Sequence, residues 1–358
     1  MSVKRAAIVE RYCLNPDSLR NTYHLVLEGD PICFSPGDSV GIYPKNPLEQ
    51  VRLLLTYFGL SAHSAVVDPK TKAIVPAEVW FSSYVEINTI SPHMLRYIAA
   101  CAFSEEDRDR VREYQGDIHQ YDLYQFLSLY VPGGVNFRDV VYGFTPLRPR
   151  LYSLSSAPQR QSGRFELTVA QVVSEHGKKG VCSNYLVDMP LGCKEVGLFV
   201  QPSRHFSFPS KGPYIMIGAG TGIAPFRSFV EHLQNEQAAE DCWLFFGEKY
   251  RSRDFFYQNF WEELESSGHI KLSLAFSRDQ DEKIYVQHRM WQEREQLWHF
   301  LEQRKATILV CGSAARLAKS VENTLVDIAC DQGGLDKEEA LSYLQNMRRE
   351  KRYVKDVY

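Results

Sequence analysis

The sequence predicts an antiparallel β-barrel interrupted by a helical insertion, followed by an α/β domain with a doubly wound parallel sheet. Three observations predict it. Strand-length apolar runs separated by turn residues occupy 4–13, 22–29 and 38–44, and they return at 147–157, 164–173 and 195–201. Between the two sets, from Leu48 to about residue 130, apolar residues recur with a helical period. After residue 208 come four apolar runs, 214–218, 242–247, 271–277 and 306–312. Each ends in Gly or a polar residue and precedes a helical pattern, which is how a parallel sheet with crossover helices reads.

Size and composition agree. A chain of 358 residues exceeds one simple core and suits two domains with an insertion. Hydrophobic content of 44% and charged content of 24% are those of an ordinary globular protein. A net charge of -3 gives no electrostatic support to a nucleic-acid partner. The start lacks the apolar run of a signal peptide, and the stretch from Tyr214 to Phe226 is too short and Gly-rich for a bilayer, so no membrane is expected and the cytoplasm is. The eight cysteines are scattered without a Cys-x-x-Cys pair, which argues against a zinc site, a cysteine-ligated cluster or a disulfide framework.

Taken in order, Ser35-Pro36-Gly37-Asp38 supplies turn chemistry between the second and third strands. Val51, Leu54, Leu55 and Phe58 share one helical face; Met94, Leu95, Tyr97 and Ile98, then Leu123, Phe126 and Leu127, continue the pattern. The charge run 104–113 reads as a solvated helix face. In the next strand Arg150 and Tyr152 lie on one side and Ser153 on the other. A guanidinium suits a diphosphate, and a ring suits a flat heterocycle. Taken alone, this is equally an ordinary strand with a surface arginine. The strand at 164–173 places Phe165, Leu167, Val169 and Val173 on one face. Gly180 permits close backbone approach, and Ser183 is placed to cap the helix that starts there; a helix start of this kind receives a diphosphate or is a plain cap.

The first unit of the second domain gives Gly218-Ala-Gly220-Thr221-Gly222-Ile-Ala-Pro225-Phe-Arg227. Its glycines let backbone N–H groups approach a diphosphate, and Pro225 fits the first turn of a helix. After the third strand, Ser277, Arg278, Lys283 and Tyr285 offer donors to a phosphate, amid Asp279, Asp281 and Glu282, which equally fit a solvated mixed-charge loop.

Together these motifs resemble the ferredoxin–NADP reductase superfamily and, within it, the diflavin reductases related to the flavoprotein subunit of NADPH–sulfite reductase. The resemblance runs from about Tyr12 to Tyr358, without the flavodoxin-like FMN domain that such relatives carry at their N-terminus. It implies a β-barrel flavin domain with a helical insertion, followed by an α/β doubly wound parallel-sheet nucleotide domain. The expected boundaries are 1–46 and 131–208 for the barrel, 47–130 for the connecting insertion and 209–358 for the nucleotide domain. FAD and NADPH are the implied cofactors. Arg150, Leu151, Tyr152 and Ser153 form the first flavin motif, with Thr168, Val169 and Ala170 on the following strand. Gly180, Val181, Cys182 and Ser183 form the second flavin motif, and Tyr358 stacks on the exposed flavin face. Gly220, Thr221 and Gly222 take the nucleotide diphosphate, while Ser277, Arg278, Lys283, Tyr285 and Gln287 hold the adenosine end and favour NADPH over NADH. Ser153, Cys311 and Asp356 are the implied catalytic residues: Ser153 near flavin N5, Cys311 at the nicotinamide, and Asp356 favouring positive charge there.

Ser313 stands where relatives usually have Asp, Ser320 replaces another Asp, Phe206-Ser-Phe208-Pro209 replaces F-R-L-P, and Glu248-Lys249 stands where several relatives have Arg. The expected function is an enzyme that takes hydride from NADPH and passes electrons to a separate protein: flavodoxin-like, a ferredoxin or a sulfite reductase haem subunit. A non-catalytic flavin-fold subunit and a one-component NADPH reductase of small acceptors are the alternatives.

Overall fold

The structure, a computed structural model, describes residues 3–159, 163–204, 206–208, 212–237, 241–313 and 317–357. Residues 1–41, 151–170 and 191–358 form one unit, and residues 42–150 and 171–190 form the other.

The first unit opens with β1 (Lys4–Cys13), β2 (Thr22–Gly29) and β3 (Ser39–Tyr43); after the short hairpin β4 (Ala65–Val67) and β5 (Ile74–Pro76), which belongs to the second unit, come β6 (Arg150–Ser153), β7 (Arg164–Ala170) and β8 (Val196–Gln201). The order is β6-β3-β8-β1-β2-β7. The β1–β2, β1–β8 and β2–β7 pairs are antiparallel, with a register shift between Ile8 and Glu10. The two edges meet where Leu154 bridges Leu167 and the Ser155 N–H donates to the Glu166 carbonyl at 2.9 Å. Closure of this kind removes the open edges and makes the sheet a small barrel. In β7, Phe165, Leu167 and Val169 are buried as the alternation predicts, but the strand ends at Ala170 and Val173 is half exposed beyond it.

The parallel sheet of the same unit contains β9 (Tyr214–Ala219), β10 (Cys242–Glu248), β11 (Ile270–Phe276), β12 (Thr307–Gly312) and β13 (Tyr353–Val357). Their order is β11-β10-β9-β12-β13, and every pair is parallel. Alternate residues feed two cores. Ile215, Ile217, Trp243, Phe245, Ile308 and Val310 face one, while Tyr214, Met216, Leu244, Phe246, Leu309 and Cys311 face the other. Both faces are therefore covered by helices, and the strands read as continuous apolar runs. The strand order reverses between β9 and β12, the place where such sheets open a crevice at their carboxyl ends. The C-terminal segment forms β13 and completes the sheet beside β12.

The second unit holds helices α1 (Leu48–Tyr57), α2 (Ala77–Ser83), α3 (Pro92–Cys101), α4 (Glu105–Arg112), α5 (Leu123–Tyr130), α6 (Phe137–Val140) and α7 (Val181–Asp188). The expected apolar faces are the core: Val51, Leu54, Met94, Ile98, Leu123, Phe126 and Leu127 are all buried. That core runs on to Phe144, because Trp80 and Phe81 pack edge-on against Phe144, so the helical body extends past residue 130. The charge run is solvated except at Asp107 and Val111, which are buried, and Asp107 accepts the Gly133 N–H at 2.9 Å.

The remaining helices are α8 (Ala224–Asn235), α9 (Arg251–Asp254), α10 (Gln258–Ser266), α11 (Val286–Gln292), α12 (Arg294–Glu302), α13 (Lys319–Gly333) and α14 (Lys337–Arg349). Among the described residues no helix is long and apolar enough to cross a membrane, and no group of His, Cys, Asp and Glu could hold a metal ion.

Candidate functional site

The carboxyl edge of the parallel sheet gathers most of the residues expected at the nucleotide. β9 ends at Ala219, and the chain turns through residues 220–223 in a single 3-10 turn before α8 begins, with Pro225 in its first turn. Two glycines make this turn possible. Gly220 has φ +57°, a region that other residues enter only with strain. A Cβ on Gly222 would stand 2.2 Å from the Cys311 carbonyl oxygen, so any side chain there collides with the backbone of β12. The turn is pressed flat against the sheet, and a helix start of this kind leaves backbone N–H groups that suit a diphosphate.

β10 ends at Glu248, and the chain after β11 is tied to it: the Ser277 N–H donates to the Glu248 carbonyl at 2.9 Å, and the Arg278 N–H to the Lys249 carbonyl at 2.8 Å. Ser277 is half-buried, whereas Arg278, Lys283 and Tyr285 are exposed; Gln287 lies in the first turn of α11. Asp279 accepts the Arg251 N–H with both carboxylate oxygens, at 3.1 and 3.2 Å. Asp279 is thus held at the start of α9, and Arg278 is the first cation of this loop after β11.

On the other side of the switch point, strand register sets Cys311 beside Gly218 and Asp356. Burial holds the Cys311 thiol well above its ordinary pKa, and the nearby Asp356 carboxylate adds to the shift. Burial also raises Asp356. The thiol is therefore a neutral, compact group at the end of β12. Ser313 is exposed just past it. Tyr358 lies outside the described residues.

The first flavin motif has Arg150 in the second unit and its other residues in the first, and the second motif lies in the second unit. In the first unit, Tyr152 and Ser153 are half-buried on β6 and Leu151 is exposed; Thr168 and Val169 are buried on β7, with Ala170 half-buried at its end. The Thr168 hydroxyl is 2.6 Å from the Tyr257 hydroxyl, so its side chain is engaged within the protein. In the second unit, Arg150 is exposed and donates to the Arg148 carbonyl at 2.9 Å.

The second motif departs from expectation in one respect. Gly180, not Ser183, is the residue before α7, and no side chain caps this helix. Ser183 lies inside the first turn, where its hydroxyl accepts the Val172 N–H at 3.0 Å. Cys182 is buried, and Val181 is half-buried. Leaving the first N–H groups without a side-chain acceptor is what a diphosphate-binding helix start needs. Both the 220–223 turn and the 180–183 turn thus fit their dinucleotides.

A network that the motifs did not announce joins the barrel to the parallel-sheet domain within the first unit. Arg227, on α8, pairs with Glu166 of β7 at 2.5 Å and donates to the Ser155 carbonyl at 2.7 Å. Its guanidinium lies over the Tyr257 ring, 4.8 Å from the centroid. The Tyr257 hydroxyl is also 3.1 Å from His24 Nδ1, and burial lowers the His24 pKa to about 4. Glu231 accepts the Ala157 N–H at 2.6 Å, and Ser228 donates to the Ser156 carbonyl at 2.7 Å. Arg227 closes the glycine-rich run, two residues after Pro225, and a charged residue on an otherwise apolar helix start was the available signal.

Comparison with known proteins agrees with this geometry. Residues 2–185 match the family model described as FAD binding domain, and residues 216–323 match that described as oxidoreductase NAD-binding domain. Among curated relatives, the sulfite reductase [NADPH] flavoprotein alpha-component of Bacillus subtilis (strain 168) is 34% identical over 99% of this chain and 61% of its own length. The protein of that name from Vibrio cholerae serotype O1 (El Tor Inaba N16961) is 35% identical over 96% of this chain and 57% of its own. That from Neisseria meningitidis serogroup B is 36% identical over 93% and 56%. The chain spans about three-fifths of the length of these relatives. FAD and a nicotinamide dinucleotide are the cofactors its two matched domains carry, and with the first model covering more than half of its residues the chain belongs to the FAD-binding domain family.

Proposed function

We propose that the protein is an NADPH-dependent flavoprotein reductase that passes electrons to a separate acceptor. The observation that carries the reading is the point where strand order reverses, at the carboxyl ends of β9 and β12. There a turn held flat by Gly222 meets Cys311 and, one strand further, Asp356. When bound, FAD supplies a hydride acceptor that returns electrons one at a time. The residues of the chain bind and position. Backbone N–H groups of residues 220–223 and of the start of α7 hold the two diphosphates. Arg150, Tyr152 and Ser153 hold the flavin, with Ser153 as the hydroxyl nearest its reacting edge. Leu151, Thr168, Val169, Ala170, Val181, Cys182 and Tyr358 complete its surroundings. Cys311 is small and uncharged, so the nicotinamide packs against it, and Asp356 favours the positive ring.

NADPH is preferred over NADH because Arg278 and Lys283 offer charge to a 2′-phosphate, helped by Ser277, Tyr285 and Gln287, while Asp279 is occupied at α9. The acceptor is a redox protein, and the names of the relatives favour a sulfite reductase partner.

An anaerobic absorbance spectrum before and after NADPH tests the reading. Bleaching of a yellow protein by NADPH, and much less by NADH, is expected. A yellow protein that neither nucleotide bleaches would leave a flavin-binding subunit without the reductase activity.

A further inference from the structure

Glu248 ends β10, and its side chain lies against the glycine-rich turn: a Cβ on Gly220 would stand 3.4 Å from Glu248 Oε1. The backbone of the same residue holds Ser277. Glu248 therefore lies between the turn that takes the diphosphate and the loop that takes the 2′-phosphate. A carboxylate is the wrong charge for either. Its Oε2 accepts the Lys249 N–H at 2.7 Å, and among the described residues Oε1 has no hydrogen bond.

We propose that Glu248 makes nucleotide binding proton-linked: the protonated carboxyl admits the diphosphate and donates a hydrogen bond to it, whereas the carboxylate opposes it. The proton comes from solvent and returns there when the nucleotide leaves. The inference rests on residues 220–223 being the diphosphate cradle.

The surroundings favour the neutral form. Burial raises the Glu248 pKa, and Asp254 of α9 raises it further. Asp254 is itself buried, accepting Asn15 Nδ2 at 3.0 Å and the Tyr250 N–H at 3.2 Å. Against this act the Lys249 N–H and charge and, from the loop between β1 and β2, Arg20. The 220–223 turn brings no charge, and after β11 Arg278 reaches this point through its backbone bond to Lys249. A diphosphate adds negative charge beside the carboxyl and so pushes its protonation further. The sign follows: a carboxyl raised in the free protein and raised further in the complex takes up protons on binding, and affinity falls as pH rises.

The test compares the holoenzyme with its Glu248→Gln variant, which keeps the shape and removes the charge. NADP+ affinity is measured by flavin difference spectra across the pH range over which the holoenzyme stays folded and keeps its flavin. The 2′-phosphate titrates in this range too, but equally in both proteins, so the ratio of the two dissociation constants isolates Glu248. The variant is expected to bind about tenfold more tightly at the alkaline end, with the ratio falling towards unity at the acid end. Calorimetry in two buffers of different ionisation enthalpy reads the proton directly: uptake in the wild type exceeds that in the variant. A ratio independent of pH, or a variant that binds more weakly throughout, overturns the inference while leaving the nucleotide site in place. Failure of both proteins to bind NADP+ at any pH overturns the site and the inference together.

Discussion

Two glycine-led turns lead into helices in this chain, and they hold their shape by different means. At residues 220–223 the sheet itself dictates the path: Gly220 is left-handed, and Gly222 touches the carbonyl of Cys311. At the start of α7 the backbone is ordinary, with Gly180 at φ -67° and ψ 132°, and polar side chains hold it. Asn184 donates to the Gly180 carbonyl at 2.7 Å and the Val172 carbonyl at 3.0 Å, and Ser183 accepts from Val172. One turn is fixed by exclusion and the other by hydrogen bonds. The two should fail differently when altered.

The largest effect is expected at Gly222. An added methyl would require the turn to leave β12 or the strand to yield, in a core where both faces are packed. Gly222→Ala should cost about 3 kcal/mol or more by denaturant unfolding and abolish NADP+ binding in whatever folds. Near-normal stability and nucleotide affinity would mean that the turn yields easily, and the contrast between the two sites would vanish.

Asn184 comes next. It is buried, and its amide also accepts from Gln171 Nε2 at 2.9 Å. Asn184→Ala removes the second donor from two carbonyls, which keep the Asn184 and Gly180 N–H groups, and the acceptor of Gln171, at a cost of about 2 kcal/mol. The loss should be seen as weaker FAD retention on dilution, with NADP+ binding to the reconstituted protein unchanged. Equal loss of both ligands would show that the two turns are not independent.

This contrast also explains what was legible in the sequence. β1 and β2 match their expected bounds residue for residue, because the turn residues Asn15-Pro16-Asp17 and Asp30-Pro31 end them and apolar residues lie at their centres. The 220–223 turn was legible because steric exclusion leaves its mark as glycine, at the position where no other residue fits. The hydrogen-bonded turn is less legible: Ser183 has the residue type of a cap, yet it sits inside the first turn with the Val172 N–H as donor. Glu166, Arg227, Tyr257 and His24 were illegible for a related reason. They lie far apart in the chain, and charge pairing between distant elements leaves no local pattern. Glu248 stood out only as a departure from relatives; its role needed the distance to Gly220.

The smallest effect is expected at Gly180, and it separates the two ways a glycine can matter. A Cβ here would lie 2.9 Å from Val172 Cβ and 3.4 Å from Ser183 Oγ. The backbone angles suit any residue, and Val172 lies at the surface, where it has room to shift, although its N–H and carbonyl are both hydrogen-bonded. Gly180→Ala should therefore cost only about 1 kcal/mol of stability. Measured FAD affinity then decides what the glycine is for. A fall of no more than about tenfold matches the displacement of Val172 alone. Loss of FAD from a protein of nearly normal stability would mean that the flavin diphosphate passes so close to the Gly180 backbone that even a methyl group obstructs it. In that case exclusion by the ligand does at α7 what exclusion by Cys311 does at α8, and the two turns would differ only in which partner enforces the glycine.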